Sequence, residues 1–182
     1  MEALHTILSE IERVIDKIDE QQVDTFADRL LAASRVFVTG EGRSGFMAKA
    51  FAMRLMHLGL PVYVVGETTT PALKSSDTLV AVSGSGTTEG TVRIAQDAKK
   101  LGVTLFAVTT NPESDLGKLA THTLVIPAAT KWRREGEVPT QQPLGSLFDQ
   151  CCHIALDAIC LDIAERKGIS NESARQQHTN VE

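Results

Sequence analysis

The segment Ser83-Gly84-Ser85-Gly86-Thr87-Thr88-Glu89 sets four hydroxyls around two glycines, where a short apolar run gives way to a helical pattern. The start of a helix presents unpaired backbone N–H groups and the positive end of its dipole, so it favours an anion. Glycines let the main chain approach a ligand closely. Ser83, Ser85 and Thr88 add hydroxyl donors, and the whole suits a phosphate monoester held by neutral groups. The same residues also fit an ordinary strand-to-helix turn with a threonine cap. A Walker loop would need Gly-Lys-Ser/Thr, which is absent here, and a dinucleotide fingerprint would need Gly-x-Gly-x-x-Gly. Gly40, Gly42 and Gly45 do fit that last spacing. No acidic residue directly ends the strand that follows, however, and Glu67 comes 22 residues after Gly45.

Arg43 and Ser44 stand at the equivalent position one strand earlier, so guanidinium and hydroxyl donors converge on the same crevice. Arg43 also reads as a surface charge, and Ser44 as the cap of its helix. Glu67, with Thr68 to Thr70, follows the second strand and could bind sugar hydroxyls or stabilise its loop. Lys131, Trp132, Arg133 and Arg134 read as a solvated charge run, or else as part of a lid over the phosphate. His57 reads as packing or surface.

Parallel strands must position these loops. Val36–Thr39, Val62–Val65, Thr78–Val82, Thr104–Val108 and Thr123–Ile126 are short, continuously apolar runs. Helical stretches lie at Ser44–Leu58, Thr88–Leu101 and Ser114–Ala120. This alternation predicts an α/β fold: a five-stranded, doubly wound parallel sheet, flanked by helices, with the flavodoxin-like order 2-1-3-4-5. Ligands of such sheets bind at the carboxyl ends of the strands. Two amphipathic helices precede it, at residues 2–18 and 23–33. Residues 127–143 contain three prolines and no periodicity, which suggests a lid, binding loop or interface. A final helix, Ser146–Lys167, is apolar on more sides than one layer can cover. The first helix has the same character, and a homo-oligomer is expected.

The 182 residues suit one domain. A net charge of −5 argues against a nucleic-acid partner. No apolar run is long enough to span a membrane, and the amino terminus lacks a secretory pattern. Cys151, Cys152 and Cys160 share one helical segment without metal-ligand spacing, which suits a reducing cytoplasm.

Taken together, GEGRSG, AFAMRLMHLGLPVYVVGETTTP, SGSGTTEG, TTNPES, PLGSLFD and the terminal HTNVE resemble the 6-phospho-3-hexuloisomerases of the sugar isomerase (SIS) domain superfamily. The resemblance spans residues 1–182 as a single SIS domain. It implies a cytoplasmic homotetramer of the ribulose monophosphate pathway, coupled metabolically to 3-hexulose-6-phosphate synthase. The reaction implied converts D-arabino-hex-3-ulose 6-phosphate to fructose 6-phosphate, downstream of formaldehyde fixation, with no metal or other cofactor. Other phosphosugar isomerases and phosphosugar-sensing SIS modules share the fold and remain alternatives.

By the same resemblance, Ser83, Gly84, Ser85, Gly86, Thr87, Thr88 and Glu89 form the phosphosugar loop, and Ser44 is a second phosphate-side serine. The proton-transferring carboxylate falls at Asp149 of Gly-Ser-Leu-Phe-Asp, where the family carries Glu. Burial under the proline-rich loop would raise the pKa of Asp149. His178, in the terminal His-Thr-Asn segment, matches a family motif and is expected as an acid/base group at a neighbouring subunit's site, or else as a frayed tail. His153 and Asp157 follow Asp149 at successive i+4 positions, so His153 either orients Asp149 or belongs to a polar seam.

Overall fold

The computed structural model describes residues 1–181. Five strands, β1 (Val36–Gly40), β2 (Val62–Val64), β3 (Thr78–Val82), β4 (Thr104–Thr109) and β5 (His122–Val125), form one parallel sheet in the order β2-β1-β3-β4-β5. This is the order expected from the sequence. β3 lies at the centre and is buried along its whole length, whereas the edge strands β2 and β5 are mostly half-buried.

Alternate side chains divide the core into two layers, as a pleated strand requires. Val36, Val38, Val80, Val82, Phe106, Val108 and Leu124 face α1 (Glu2–Ile15), α2 (Glu20–Ala32), α3 (Gly42–His57) and α6 (Ser146–Lys167). Phe37, Leu79, Ala81, Leu105 and Ala107 face α4 (Glu89–Lys100) and α5 (Asp115–Leu119). Four helices therefore load one face and two the other. The tips of β1, β3 and β4 all open at the same end of the sheet, where the Gly42–Gly45, Ser83–Thr88 and Thr110–Ser114 segments meet.

Several boundaries differ from the sequence reading. α1 stops at Ile15, and residues 16–19 turn the chain into α2, whose first turn Asp19 caps by accepting from the Gln21 amide. α3 begins at Gly42, so Ser44 lies inside its first turn instead of capping it; Glu41 holds the cap position. A short helix, α7 (Asn171–Gln176), follows α6 and is capped by Ser170. The chain itself covers more of α6 than its composition suggests. Cys151, Cys152, Leu156, Ile159, Cys160 and Ile163 are all buried against α1, α2 and α3, and only Ile154 and Leu161 remain exposed as large apolar groups of that helix.

Candidate active site

Asp149 sits in the first turn of α6 and is buried. Arg43 Nε donates to its Oδ2 at 3.0 Å, and Ser44 Oγ donates to its Oδ1 at 3.1 Å. Both donors come from the first turn of α3, so the β1–α3 connection lies over the start of α6. Burial raises the pKa of the carboxyl above its ordinary value and outweighs the two hydrogen bonds and the nearby positive charge, which pull it down. The Arg43 side chain is 63% exposed and that of Asp149 only 6%. The guanidinium can therefore leave for solvent or a ligand without disturbing the core, while the carboxylate cannot.

The residue before Asp149 joins this group to the Ser83–Glu89 loop. Phe148 is fully buried, and its ring packs against Gly84, where a Cβ would stand 2.9 Å from ring carbon Cδ1. Only glycine admits the ring at that distance. Gly86 is required for a different reason. Its φ is +65°, a left-handed conformation, and a Cβ there would also strike Ser114 Oγ at 2.0 Å.

β4 clamps the loop from the other side. Thr110 donates through both its amide (3.1 Å) and its hydroxyl (3.0 Å) to the Gly84 carbonyl, which also accepts from Thr109 Oγ1 at 3.2 Å. The Leu116 amide donates to the Gly86 carbonyl at 2.9 Å. Within the loop the hydroxyls bond to one another. Ser83 Oγ is buried, accepts from the Gly86 amide and shares a hydrogen bond with Thr88 Oγ1 at 2.9 Å. Ser85 Oγ accepts from the Thr87 amide and hydroxyl. Ser83 thus shapes the loop from inside, whereas Ser85 and Thr87 lie nearer its open side. The first amides of α4 have no intrahelical carbonyl to reach and remain as donors at the loop's end.

The proline-rich segment is more ordered than its composition implies. Ala128 and Val138 form a bridge, and between them the Glu137 carboxylate accepts from the Thr130 amide and hydroxyl, the Arg134 amide and Thr110 Oγ1. Arg133 donates to the carbonyls of Thr130, Gln142 and Leu144. Glu10, buried on α1, accepts from Thr140 Oγ1, the Gln141 amide and Gln142 Nε2. Arg134 Nη1 reaches the Ser85 carbonyl at 3.1 Å. Arg133 and Arg134 are therefore not a solvated charge run, because the first staples its own segment and the second touches the Ser83–Glu89 loop.

Three other sequence candidates lie elsewhere. Glu67 is exposed beyond β2, in a cleft shared with Lys49, Met53 and Tyr63 beside α3, and no hydrogen bond joins it to Asp149 or the Ser83–Glu89 loop. His153 pairs with Asp157 at 3.4 Å on the exposed side of α6, whereas the carboxylate of Asp149 is held by Arg43 and Ser44. The His178 ring stacks on His57 at 5.1 Å, at the far end of α3. That end is about 20 Å along the helix from Arg43 and Ser44, so His178 does not serve its own subunit's cleft. His57 itself is buried. Sequence reasoning gave Thr110 and Phe148 no role at the loop, although the Thr-Thr pair at the end of β4 was an available signal; for Arg134 it offered a place in a lid over the phosphate as the alternative to a solvated charge run.

Residues 29–139 match the SIS domain. Over 97% of its length the chain is 40% identical to a 3-hexulose-6-phosphate isomerase of Bacillus subtilis, covering 95% of that protein. It is likewise 40% identical to one from Mycobacterium gastri, over 98% of this chain and 89% of that one. The chain belongs to the 3-hexulose-6-phosphate isomerase family. A solved hypothetical protein from Methanococcus jannaschii, for which a 3-hexulose-6-phosphate isomerase function was inferred, superposes with a TM-score of 0.87 at 30% identity, over 100% of both chains. The family is one of phosphosugar isomerases, and Asp149, Arg43, Ser44 and the Ser83–Glu89 loop are its site candidates in this chain.

Proposed function

We propose that this protein interconverts D-arabino-hex-3-ulose 6-phosphate and fructose 6-phosphate, with Asp149 moving the proton. The observation that carries the reading is a buried carboxylate, held by Arg43 and Ser44, whose neighbour Phe148 packs directly on Gly84 of the anion loop. Phosphate bound at Ser85, Thr87, Thr88 and the first amides of α4 leaves the sugar chain running toward α6. The Asp149 carboxylate takes the proton from C2. The C2–H electron pair becomes the C2=C3 bond, and the C3 carbonyl electrons move to O3, giving an enediolate. The O2 hydroxyl then passes its proton to O3, directly or through solvent, as C2=O forms, and the C2=C3 electron pair takes the carboxyl's proton back at C3.

Arg43 uses only Nε on Asp149, and its two Nη groups are left to meet the oxygen on which charge develops. Burial places the pKa of Asp149 closer to the working pH than that of a free aspartate, which favours both taking and returning a proton. The product of formaldehyde fixation by 3-hexulose-6-phosphate synthase supplies the substrate, which puts the enzyme in the ribulose monophosphate pathway of the cytoplasm. Leu4 and Leu8 on α1 with Ile154 and Leu161 on α6 are apolar and exposed, which supports a homo-oligomer, by the resemblance a tetramer. In such an assembly His178 is the group to assist ring opening of fructose 6-phosphate at a neighbour's site.

Enzymatically made hexulose 6-phosphate, with fructose 6-phosphate read by a coupled dehydrogenase, tests the reading. Asp149→Asn should abolish turnover while the protein stays folded and still binds phosphate. Turnover of arabinose 5-phosphate instead of the hexulose would replace the substrate, and an active Asp149→Asn would replace the base.

A further inference from the structure

One of the two guanidinium groups at the anion loop has no ion-pair partner among the described residues. Arg43 is neutralised by Asp149 at 3.0 Å. The other guanidinium at the loop is that of Arg134, half-buried and bonded through Nη1 to the Ser85 carbonyl. Among the described residues no carboxylate forms an ion pair with it; Glu135, next to it in the chain, is exposed, and Glu137 is occupied by Thr110, Thr130 and the Arg134 backbone amide. A carboxylate oxygen of Glu41 also lies against the first turn of α4, so close to Gly90 that a Cβ there would stand 1.9 Å away. The loop's surroundings are thus more acidic than its hydroxyls and amides suggest, and a dianion entering them needs a cation.

We propose that Arg134 is a phosphate-binding residue of this site. Its guanidinium would pass from the Ser85 carbonyl to the phosphoryl oxygens, or bridge both, when the phosphosugar binds. The assignment rests on the proposed phosphosugar reading of the same loop and changes its chemistry: the grip has a charged component and is not made of neutral donors alone. The segment that carries Arg134 is suited to the task. Glu137 and Arg133 fix its backbone from within, and Glu10 ties its far end to α1, so the guanidinium is presented by a braced loop. A guanidinium fits phosphate through two parallel N–H donors, and Nε and Nη2 of Arg134 make no other hydrogen bond among the described residues.

The test uses the full-length protein with inorganic phosphate as probe and the hexulose phosphate as substrate. Arg134→Met should weaken inhibition by inorganic phosphate roughly 10- to 100-fold, the loss expected for one charge-assisted hydrogen bond. KM should rise by a similar factor, more than kcat falls. Arg134→Lys, which keeps the charge, should recover part of the loss. The preference for dianionic over monoanionic phosphate, read from the pH dependence of inhibition between about pH 5.5 and 8, should flatten in Arg134→Met. Ser85→Ala serves as the reference. If Ser85→Ala weakens phosphate binding and Arg134→Met does not, this inference fails and the phosphosugar reading stands. If neither variant changes phosphate binding, the loop is not a phosphate site and both fail. An equal loss in the Met and Lys variants, with the pH dependence unchanged, would make Arg134 a structural tether and overturn the assignment. Circular dichroism and Tm equal to those of the unmodified protein are required of every variant, and Arg134→Gln replaces Arg134→Met should the latter not fold.

Discussion

Substituting Gly84 by alanine probes the contact that joins the proposed anion grip to the proposed proton-transfer group. The added Cβ would meet Phe148 at 2.9, 3.1 and 3.2 Å from three ring carbons, whereas ordinary contacts begin near 3.4 Å. The ring must therefore retreat by ~0.5 Å. Phe148 is 1% exposed and stands in the main core layer, so no void receives it. The retreat is shared between the loop backbone and the first turn of α6, which carries Asp149. Overpacking of this size costs about 1–3 kcal/mol of stability. A catalytic group displaced by 1 Å loses about 100-fold in rate, so half that displacement predicts a kcat reduction of roughly 10-fold. Steady-state kinetics with the hexulose phosphate, together with thermal melting, read both effects. A second change, Phe148→Leu, removes the clashing ring edge. In Gly84→Ala/Phe148→Leu the two penalties should fall short of their sum by about 1 kcal/mol or more in a double-mutant cycle. Wild-type Tm and kcat in Gly84→Ala, or strictly additive effects in the double variant, would refute the coupling.

Two further outcomes follow from charge and pH. Arg43→Met withdraws the hydrogen bond and positive charge that oppose the burial of Asp149, so its pKa climbs further and the acid limb of kcat/KM must move to higher pH; a limb that stays or moves down would remove Asp149 as the base. At Glu10, burial pushes the carboxyl up, but the hydrogen bonds from Thr140, the Gln141 amide and Gln142 together hold it below its ordinary value. Its stabilisation is present above the unfolded pKa and is lost as pH falls through the lower folded value. Glu10→Gln should therefore be less stable by about 1–3 kcal/mol at pH 7 in urea unfolding and show a flatter decline below about pH 4.5. Parallel stability curves for the two proteins would refute the clamp.

The sheet was legible because buried parallel strands have no polar face to confuse the pattern. Val80 and Leu79 point to opposite layers, yet both are apolar, so each strand reads as a continuous run with turn residues at its ends. The Ser83–Glu89 loop was legible for a related reason: glycine at positions 84 and 86 answers local demands of contact and conformation. The order of residues 127–143 was not. Their order comes from side chains bonded to backbone, as in Arg133 to three carbonyls and Glu10 to a segment 130 residues away, and such bonds leave no period in the sequence. How much of α6 the chain covers itself was not legible either: α1, α2 and α3 wrap around it, because the amino-terminal helices fold back onto the face that holds α3, and Ile154 and Leu161 stay exposed.

The same packing bears on which sugar the site admits. In an open-chain hexulose 6-phosphate, C4, C5, C6 and one ester oxygen separate the reacting C3 from phosphorus. The distance from anion grip to carboxylate must match that span. Here it is set by a rigid contact, because Phe148 rests on Gly84 and Asp149 is the next residue along α6. A sugar one carbon shorter, held by the same phosphate grip, would present a different carbon to the carboxylate. Arg43 and Ser44 both bond to Asp149 and hold its carboxylate against the first turn of α3. On the proposed reading the substrate's C2 must come to that carboxylate, and the resemblance, which implies a longer glutamate at this position, leaves a reach to be recovered where the phosphate is held. The proposed charged grip on the Arg134 side of the loop would draw the sugar inward and supply it, which ties the acid on α6 and the cation on the proline-rich segment into one design.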